Sequence, residues 1–140
     1  MKVLITGGAG YVGSTLVGLL LDNGHEVLVF DKLEYGDDPL QAYADKPNFK
    51  LFYGDISNPK DVSKVVTKDV DAIVHLAAIV GDPACKKSPE IAEKTNWEGS
   101  KLLIQHADSV GIQRFIFAST CSNYGKMEGS DYVNENSELR

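Results

Sequence analysis

Short apolar runs alternate with amphipathic or polar segments along most of this chain. Five runs predict β-strands, because each groups apolar residues, many of them β-branched or aromatic, between turn-forming residues. They cover residues 2–6, 27–30, 49–53, 72–76 and 115–119. The run at 27–30 is continuously apolar, which is typical of a parallel strand that is buried on both faces.

Three segments between these strands carry helical patterns. Residues 11–23 place Val12, Leu16, Leu19 and Leu20 on one face and end at Gly24. A short helix over 59–66 follows Asn58 as N-cap and a proline at its first position. The longest helix begins around 88–90 and ends at residue 110, before Gly111. Residues 32–48 predict a surface loop with one helical turn, and 120–140 show no clear period.

Strands that alternate with helices imply a parallel sheet covered by helices on both faces. The sequence therefore predicts an α/β fold with a doubly wound parallel sheet. Such a sheet is built from two βαβαβ halves. With five predicted strands, the second half is incomplete.

The segment TGGAGYVG at 6–13 lies between the first strand and the first helix. Closely spaced glycines let the backbone turn sharply and approach a ligand, since they have no Cβ. The free N–H groups of the new helix then attract an anion. Gly7, Gly10 and Gly13, with the backbone amides of Tyr11 and Val12, are therefore predicted to bind the pyrophosphate of a dinucleotide.

Asp31 stands at the end of the second strand, about 20 residues beyond the glycines. At that distance a carboxylate can accept hydrogen bonds from ribose hydroxyls, and it would repel a 2′-phosphate. This favours NAD over NADP. Lys32 follows directly, however, and a cation there could meet a phosphate, so the NADP alternative stays open.

The ends of the three later strands supply the other candidates. Asp55 could accept from an adenine amino group, with Ile56 against the ring; the alternative is that Asp55 caps the next helix. His75 is interpreted as a core histidine rather than a catalyst. The small residues after the fourth strand would let the backbone lie against the cofactor. The candidates after the fourth strand are Leu76, Ala77 and Ala78, and those after the fifth strand are Ser119 and Thr120.

Composition narrows the function further. The 140 residues carry a net charge of −6 with no basic run, which argues against a nucleic-acid partner. No stretch is long and apolar enough to suggest a signal peptide or a membrane span. The two cysteines, Cys85 and Cys121, have no paired spacing, so we expect a reducing, cytoplasmic location and no metal site.

Six motifs in order resemble the extended short-chain dehydrogenases/reductases of the NAD-dependent epimerase/dehydratase type, with a pattern similar to the UDP-glucose 4-epimerases. The resemblance runs from residue 1 to about 125. It implies a Rossmann-type domain that binds NAD, a nucleotide-sugar substrate and a homodimer formed partly through the longest helix. The motifs are TGGAGYVG at 6–13, Asp31, GDI at 54–56, HLAA at 75–78, NWEGS at 96–100 and FASTCSNYG at 117–125.

The resemblance also implies residue roles. Thr120 matches the family's catalytic Ser/Thr, whose hydroxyl contacts the sugar oxygen that is oxidised. Asn96 would lie near the nicotinamide and help hold the catalytic end of the fifth strand. Dehydratases of the family place an Asp-Glu pair after this threonine, whereas this chain has Cys121 and Ser122. That favours an epimerase, or a simple dehydrogenase or reductase.

The family's chemistry also uses a tyrosine followed four positions later by a lysine, as the base that removes the hydroxyl proton. None of the six tyrosines of this chain is followed by a lysine at that spacing, and the family position falls just past Arg140. We therefore expect the cofactor-binding N-terminal part of an enzyme roughly twice this length, without the sixth strand and the substrate region. The alternatives are a non-catalytic NAD-binding module and an atypical NADP-dependent reductase or isomerase.

Overall fold

A five-stranded parallel sheet forms the centre of the protein in a computed structural model that describes residues 1–125 and 132–138. The strand order is β3-β2-β1-β4-β5, and every neighbouring pair is parallel. This is the order of a Rossmann-like doubly wound sheet through its fifth strand, so the predicted fold class is confirmed. The strands are β1 Lys2–Thr6, β2 Glu26–Asp31, β3 Phe49–Tyr53, β4 Ala72–His75 and β5 Arg114–Phe117.

Helices connect the strands on both faces. They are α1 Tyr11–Asp22, α2 Pro59–Val65, α3 Asp82–Lys87, α4 Pro89–Glu93 and α5 Ser100–Val110, with 3-10 helices at Asp38–Tyr43 and Cys121–Tyr124. A π-helical segment, Lys94–Gly99, joins α4 to α5 without leaving helical backbone angles. The single helix predicted up to residue 110 is therefore present, but a π-helical segment interrupts its α-helical hydrogen bonding. The sequence did not predict α3.

Two hydrophobic clusters cover opposite faces of the sheet, because successive strand residues point in opposite directions. Leu4 and Ile73 belong to the cluster that packs against α2 and α5. Their neighbours Val3 and Ile5 belong to the cluster beneath α1, together with Val17. The helices are thus fixed to both faces, which leaves the strand ends as the place where a ligand can reach the sheet.

The buried face of α1 differs from the prediction. Val12 and Leu19 are 63% and 59% exposed, whereas Leu16 and Leu20 pack against the core as expected. The fully buried positions are instead Gly13, Val17, Gly18 and Leu21. The prediction was wrong because it followed apolar side chains alone, whereas the two glycines allow the helix backbone itself to pack closely.

The bounds of three strands also differ from the prediction. β2 spans Glu26–Asp31 rather than 27–30, β5 spans Arg114–Phe117 rather than 115–119, and β4 ends at His75 rather than Leu76. Among the described residues, β5 pairs with β4 alone, and their ladder ends at the pair His75 and Phe117, with one more bond from the amide of Ala118 to the carbonyl of His75 at 3.2 Å. Ser119 and Thr120 consequently lie in the loop after the strand. No helix within residues 1–125 and 132–138 is long and apolar enough to cross a membrane.

Candidate functional site

A cavity of about 490 Å³ lies at the carboxyl ends of the strands. A doubly wound sheet binds its ligands in this position. The cavity is lined by thirteen of the fourteen residues predicted to bind the cofactor; Asn96 lines a neighbouring cavity instead. The thirteen are Gly7, Gly10, Tyr11, Val12, Gly13, Asp31, Lys32, Asp55, Ile56, Leu76, Ala77, Ala78 and Ser119.

Tight packing explains one glycine of the loop between β1 and α1 and another in the first turn of α1. Gly7 has a φ of +74°, and a Cβ there would lie 2.7 Å from the backbone nitrogen of Ala77. A Cβ at Gly13 would lie 2.3 Å from the carbonyl oxygen of Gly7. No real Cβ makes contacts this short, so a larger residue at either position would displace the loop from the sheet.

The amino terminus of α1 borders this cavity. Gly10 is its N-cap and gives no side-chain hydrogen bond, and the amides of the first helical turn have no acceptor within the helix. The Tyr11 side chain is 96% exposed, so it leaves the first turn open to solvent. Free N–H groups together with the helix dipole make this end of α1 suited to an anion such as pyrophosphate.

The carboxylate of Asp31 is held by two backbone hydrogen bonds. Its Oδ2 accepts from the amide of Ala9 at 2.9 Å, and its Oδ1 accepts from the amide of Leu33 at 2.8 Å. Leu33 has a φ of 54°, an uncommon conformation for a residue with a side chain. Each carboxylate oxygen keeps a lone pair for a further donor, so the group is oriented for two hydroxyls of a ribose. No sequence signal points to the role of Ala9.

Asp55 forms a second charged group in the same cavity. Its Oδ1 accepts hydrogen bonds from the amide and the hydroxyl of Ser57, at 2.8 and 2.7 Å. Its Oδ2 lies 3.1 Å from Nζ of Lys32. Burial raises the pKa of this carboxyl, but the Ser57 hydrogen bonds and the Lys32 ammonium outweigh it, so the pKa is lowered overall.

The capping alternative for Asp55 is wrong, because another side chain caps α2. The N-cap is Asn58, whose Oδ1 accepts from the amide of Lys60 at 3.0 Å. The predicted cap at Asn58 is thereby confirmed. The Asp55 side chain instead faces the cavity, where it stays available to a ligand.

A second cavity, of about 590 Å³, adjoins the first and shares the loop after β4 with it. Asn96 and Thr120 both line this cavity, together with the shared Ser119. Thr120 is exposed, and its Oγ1 accepts from the amide of Ser122 at 3.1 Å as the N-cap of a 3-10 helix. This bond uses the hydroxyl as an acceptor, so its hydrogen can be donated to a ligand oxygen.

The side chain of Asn96 bonds both backbone polar groups of one residue, Ile79. Its Oδ1 accepts from the amide of Ile79 at 2.7 Å, and its Nδ2 donates to the carbonyl of Ile79 at 2.8 Å. Asn96 lies in the π-helical segment, and Ile79 lies in the loop after β4. The expectation that Asn96 holds the end of β5 is therefore corrected, because both polar atoms of its amide are bonded to the β4 loop.

His75 is a core histidine, as predicted. It is 2% exposed, its Nδ1 is 2.6 Å from Oγ1 of Thr6, and its Nε2 is 2.7 Å from Oγ of Ser100. Burial lowers its pKa to about 4, so the imidazole is neutral at pH 7. Thr6 and Ser100 were not predicted as its partners. A histidine inside an apolar strand needs a partner for each ring nitrogen, and that requirement could have pointed to them.

A glycine-rich turn at the start of a helix, a fixed carboxylate after β2 and a cavity across the strand ends define a dinucleotide-binding α/β protein. The model of the NAD dependent epimerase/dehydratase family matches residues 3–140. The chain belongs to this family.

Individual relatives span several reactions. The chain is 38% identical over 142 residues to a 3-beta-hydroxysteroid dehydrogenase of Mycolicibacterium neoaurum, covering 99% of the chain and 36% of that protein. It is 36% identical over 126 residues to a UDP-glucose 4-epimerase of Lactobacillus helveticus, covering 89% and 37%. The crystal structure of the dTDP-glucose 4,6-dehydratase DesIV from Streptomyces venezuelae with NAD bound aligns with a TM-score of 0.89 at 31% identity, covering 100% of the chain and 45% of DesIV.

The chain thus spans less than half the length of these relatives and corresponds to their N-terminal part. The family and the nucleotide-sugar relatives were both predicted, and the matches confirm them.

Proposed function

We propose that this chain is the cofactor-binding part of an NAD-dependent enzyme that oxidises a hydroxyl group of a nucleotide-linked sugar, most simply as a 4-epimerase. The continuity of the two cavities is the observation that carries the proposal. The first cavity joins the glycine loop to Asp31, and the second, which shares the loop after β4, brings Thr120 to its edge. A dinucleotide and a substrate hydroxyl would meet where the two cavities join.

The residues of the first cavity fit NAD. The packing of Gly7 against Ala77 and of Gly13 against Gly7 fixes the loop that leads into α1, and the open first turn of α1 supplies donors for the pyrophosphate. Asp31 would accept both ribose hydroxyls, while Asp55 and Ile56 would contact the adenine. When bound, NAD supplies the acceptor for the hydride that leaves the sugar carbon.

Thr120 is the residue that we assign to the substrate in the second cavity. Its hydroxyl would hydrogen-bond the sugar oxygen and assist the transfer of the hydroxyl proton. Asn96 would act through Ile79, whose backbone it holds at the wall shared by the two cavities. The base that receives the proton would come from a tyrosine and lysine in a part of the enzyme beyond this chain.

A second candidate is a one-way dehydrogenase. It is favoured by the 38% identity to a 3-beta-hydroxysteroid dehydrogenase, which exceeds the identity to the epimerase. An epimerase returns the hydride to its substrate, whereas a dehydrogenase releases reduced cofactor. Net formation of NADH therefore separates the two reactions. A non-catalytic NAD-binding module would catalyse neither reaction.

The assembly and location form part of the same proposal. We propose a homodimer that uses the continuous helical stretch formed by α4, the π-helical segment and α5. Trp97 and Ile104 on this stretch are 62% and 49% exposed. We also propose that the enzyme works in the cytoplasm, because the two cysteines have no paired spacing. Light scattering of the purified protein would measure its oligomeric state, and cell fractionation would determine its location.

The test begins with the intact mass of the protein isolated from its source cells. The protein of natural length is then incubated with NAD and either UDP-glucose, UDP-galactose or a 3β-hydroxysteroid. Interconversion of the two sugars without net NADH is the expected result. Steady NADH formation from the steroid alone would replace the epimerase with the dehydrogenase, and turnover of none of them at this length would favour the binding module.

Thr120→Val and Ser109→Ala form a pair for the same assay. Thr120→Val removes the hydroxyl assigned to the substrate, and we expect kcat to fall about 100-fold with little change in NAD affinity. Ser109 is exposed on α5 and lines neither cavity, so Ser109→Ala should retain full turnover. Equal activity of both variants would contradict the role of Thr120.

A further inference from the structure

We propose that Asp55 strengthens the preference of this site for NAD over NADP, by holding the ammonium group of Lys32 away from the ribose 2′ position. The inference rests on the proposed function, because it concerns the same dinucleotide. It assigns to Asp55 a specificity role that is separate from any contact with adenine. It also explains why Lys32 would not bind the 2′-phosphate of NADP.

Lys32 is placed where it could bind a 2′-phosphate. It directly follows Asp31, the residue assigned to the ribose, and it lines the same cavity. Its side chain is 53% exposed, so it has the freedom to turn toward a ligand. In the structure its Nζ instead lies 3.1 Å from Oδ2 of Asp55.

Asp55 is oriented to receive this cation. Both hydrogen bonds from Ser57 end on Oδ1, at 2.8 and 2.7 Å, which fixes the plane of the carboxylate and leaves Oδ2 for Lys32. The Asp55 side chain is 29% exposed, less than that of its partner. The carboxylate is therefore the fixed member of the pair, and the lysine is the mobile member.

The other charges of the cavity are acidic, so the pairing of Lys32 with Asp55 decides whether a 2′-phosphate finds a counter-charge. Among its described lining residues, Asp31, Glu34 and Asp55 are acidic and Lys32 is the one cation. Asp31 is fastened by the amides of Ala9 and Leu33 and stays at the ribose position. A 2′-phosphate would enter this acidic region without a counter-charge unless Lys32 left Asp55.

Four forms of the protein at its natural length test the proposal. They are the wild type, Asp55→Asn, Lys32→Gln and the double variant, each titrated calorimetrically with NAD and with NADP at one ionic strength. The quantity of interest is the ratio of the dissociation constants for NADP and NAD. A lost adenine contact weakens both cofactors alike, so it cancels from this ratio. Asparagine keeps the Oδ1 acceptor for Ser57, which preserves the local turn.

Asp55→Asn should lower the ratio about fivefold when Lys32 is present, because the freed ammonium can pair with the 2′-phosphate. In the Lys32→Gln background the same change should have less than a twofold effect. Equal effects in the two backgrounds would show that only the lost negative charge matters, and the proposal would be overturned. An unchanged ratio in Asp55→Asn would overturn it as well.

The wild-type titration separates this inference from the proposed function. Binding of NAD to the wild type with no coupling between Asp55 and Lys32 defeats the specificity role alone. Failure of the wild type to bind either cofactor defeats the dinucleotide site itself, and with it both proposals. Asp38→Asn, at an exposed position between β2 and β3, serves as the control for a general change in charge.

Discussion

The imidazole of His75 donates its Nε2 hydrogen to the hydroxyl of Ser100, 2.7 Å away. The direction follows from the next bond, in which the Ser100 hydroxyl donates to the carbonyl of Asn96 at 2.7 Å. Nδ1 must then accept from the hydroxyl of Thr6, whose oxygen in turn accepts from the amide of Ala77. One chain of satisfied hydrogen bonds thus links β1, β4, the loop after β4, α5 and the π-helical segment before it.

Ser100→Ala tests the energetic weight of this chain. The substitution leaves the Nε2 hydrogen of a buried imidazole without an acceptor, so we expect the free energy of unfolding to fall by about 2 kcal/mol. Urea denaturation measures it. Ser109→Ala is the matched control, since Ser109 lies on the same helix, is exposed and also donates to a backbone carbonyl. A loss under 0.5 kcal/mol in Ser100→Ala, like that expected for the control, would contradict the prediction.

Protonation of His75 should make stability depend on pH. The unfolded imidazole has a pKa near 6.5 and the folded one near 4, because burial disfavours the charged form. Between these values the unfolded chain binds a proton that the folded chain does not, so stability is full above pH 6.5 and falls as the pH drops toward 4. The loss from this group is on the order of 3 kcal/mol.

Two measurements check this pH dependence. Urea denaturation at pH 7, 5.5 and 4.5 gives the slope, which should be smaller in His75→Asn. The ring resonances of His75 give the folded pKa directly. An imidazole that titrates near pH 6.5 in the folded protein would show the prediction to be wrong.

Gly13→Ala should damage both stability and cofactor binding. The new methyl group would lie 2.3 Å from the carbonyl of Gly7, a backbone atom that cannot move without disturbing the loop. We expect a loss of about 2 kcal/mol in the free energy of unfolding and a weaker affinity for NAD. Thermal denaturation and calorimetric titration provide the two readings.

Gly18→Ala, on the same helix, is the control for Gly13→Ala. Its methyl group would meet the hydroxyl of Tyr43 at 2.5 Å, the far end of a side chain that can rotate away. Alanine also favours the helix by up to about 1 kcal/mol, so the net change should be near zero. Comparable losses in the two variants would mean that general overpacking of α1, and not the glycine loop, is responsible.

Asn96→Asp tests the prediction that the nicotinamide binds near Asn96. The carboxylate can still accept from the amide of Ile79, but it faces the carbonyl of Ile79 with a negative charge where Nδ2 donated before. We expect the dissociation constant for NAD to rise about tenfold and that for AMP to change less than twofold. Equal weakening of both ligands would indicate a general loss of structure.

Local sequence signals predicted the elements whose ends depend on nearby residues. β1 and β3 match their predicted bounds, and the cap at Asn58 and the left-handed Gly111 lie where the sequence indicated. α3 and the π-helical segment were missed. Neither has a pattern of its own in the sequence. In the π-helical segment the hydrogen bonds slip by one residue within an otherwise helical run, which leaves the pattern of side chains helical.

Patterns along the chain also predicted which residues surround the site, because parallel strands bring their carboxyl ends to one edge of the sheet. Asp31 is the last residue of β2, Asp55 and Thr120 follow β3 and β5, and all three lie at that edge. The sequence could not indicate what each side chain contacts there. Asp55 was assigned to adenine or to a helix cap; the cap belongs to Asn58, and within the chain the Asp55 carboxylate pairs with Ser57 and Lys32.

By itself the sequence determined the alternation of strands and helices, the glycine turn and the position of the site, since these depend on periodicity and on backbone angles over a few residues. Only the tertiary structure decided the pairings of Lys32 with Asp55, Asn96 with Ile79 and His75 with Ser100. The last two join residues 17 and 25 positions apart in the chain. Such hydrogen bonds and ion pairs form only at contact distance, and contact between distant residues is set by the packing of the helices on the sheet.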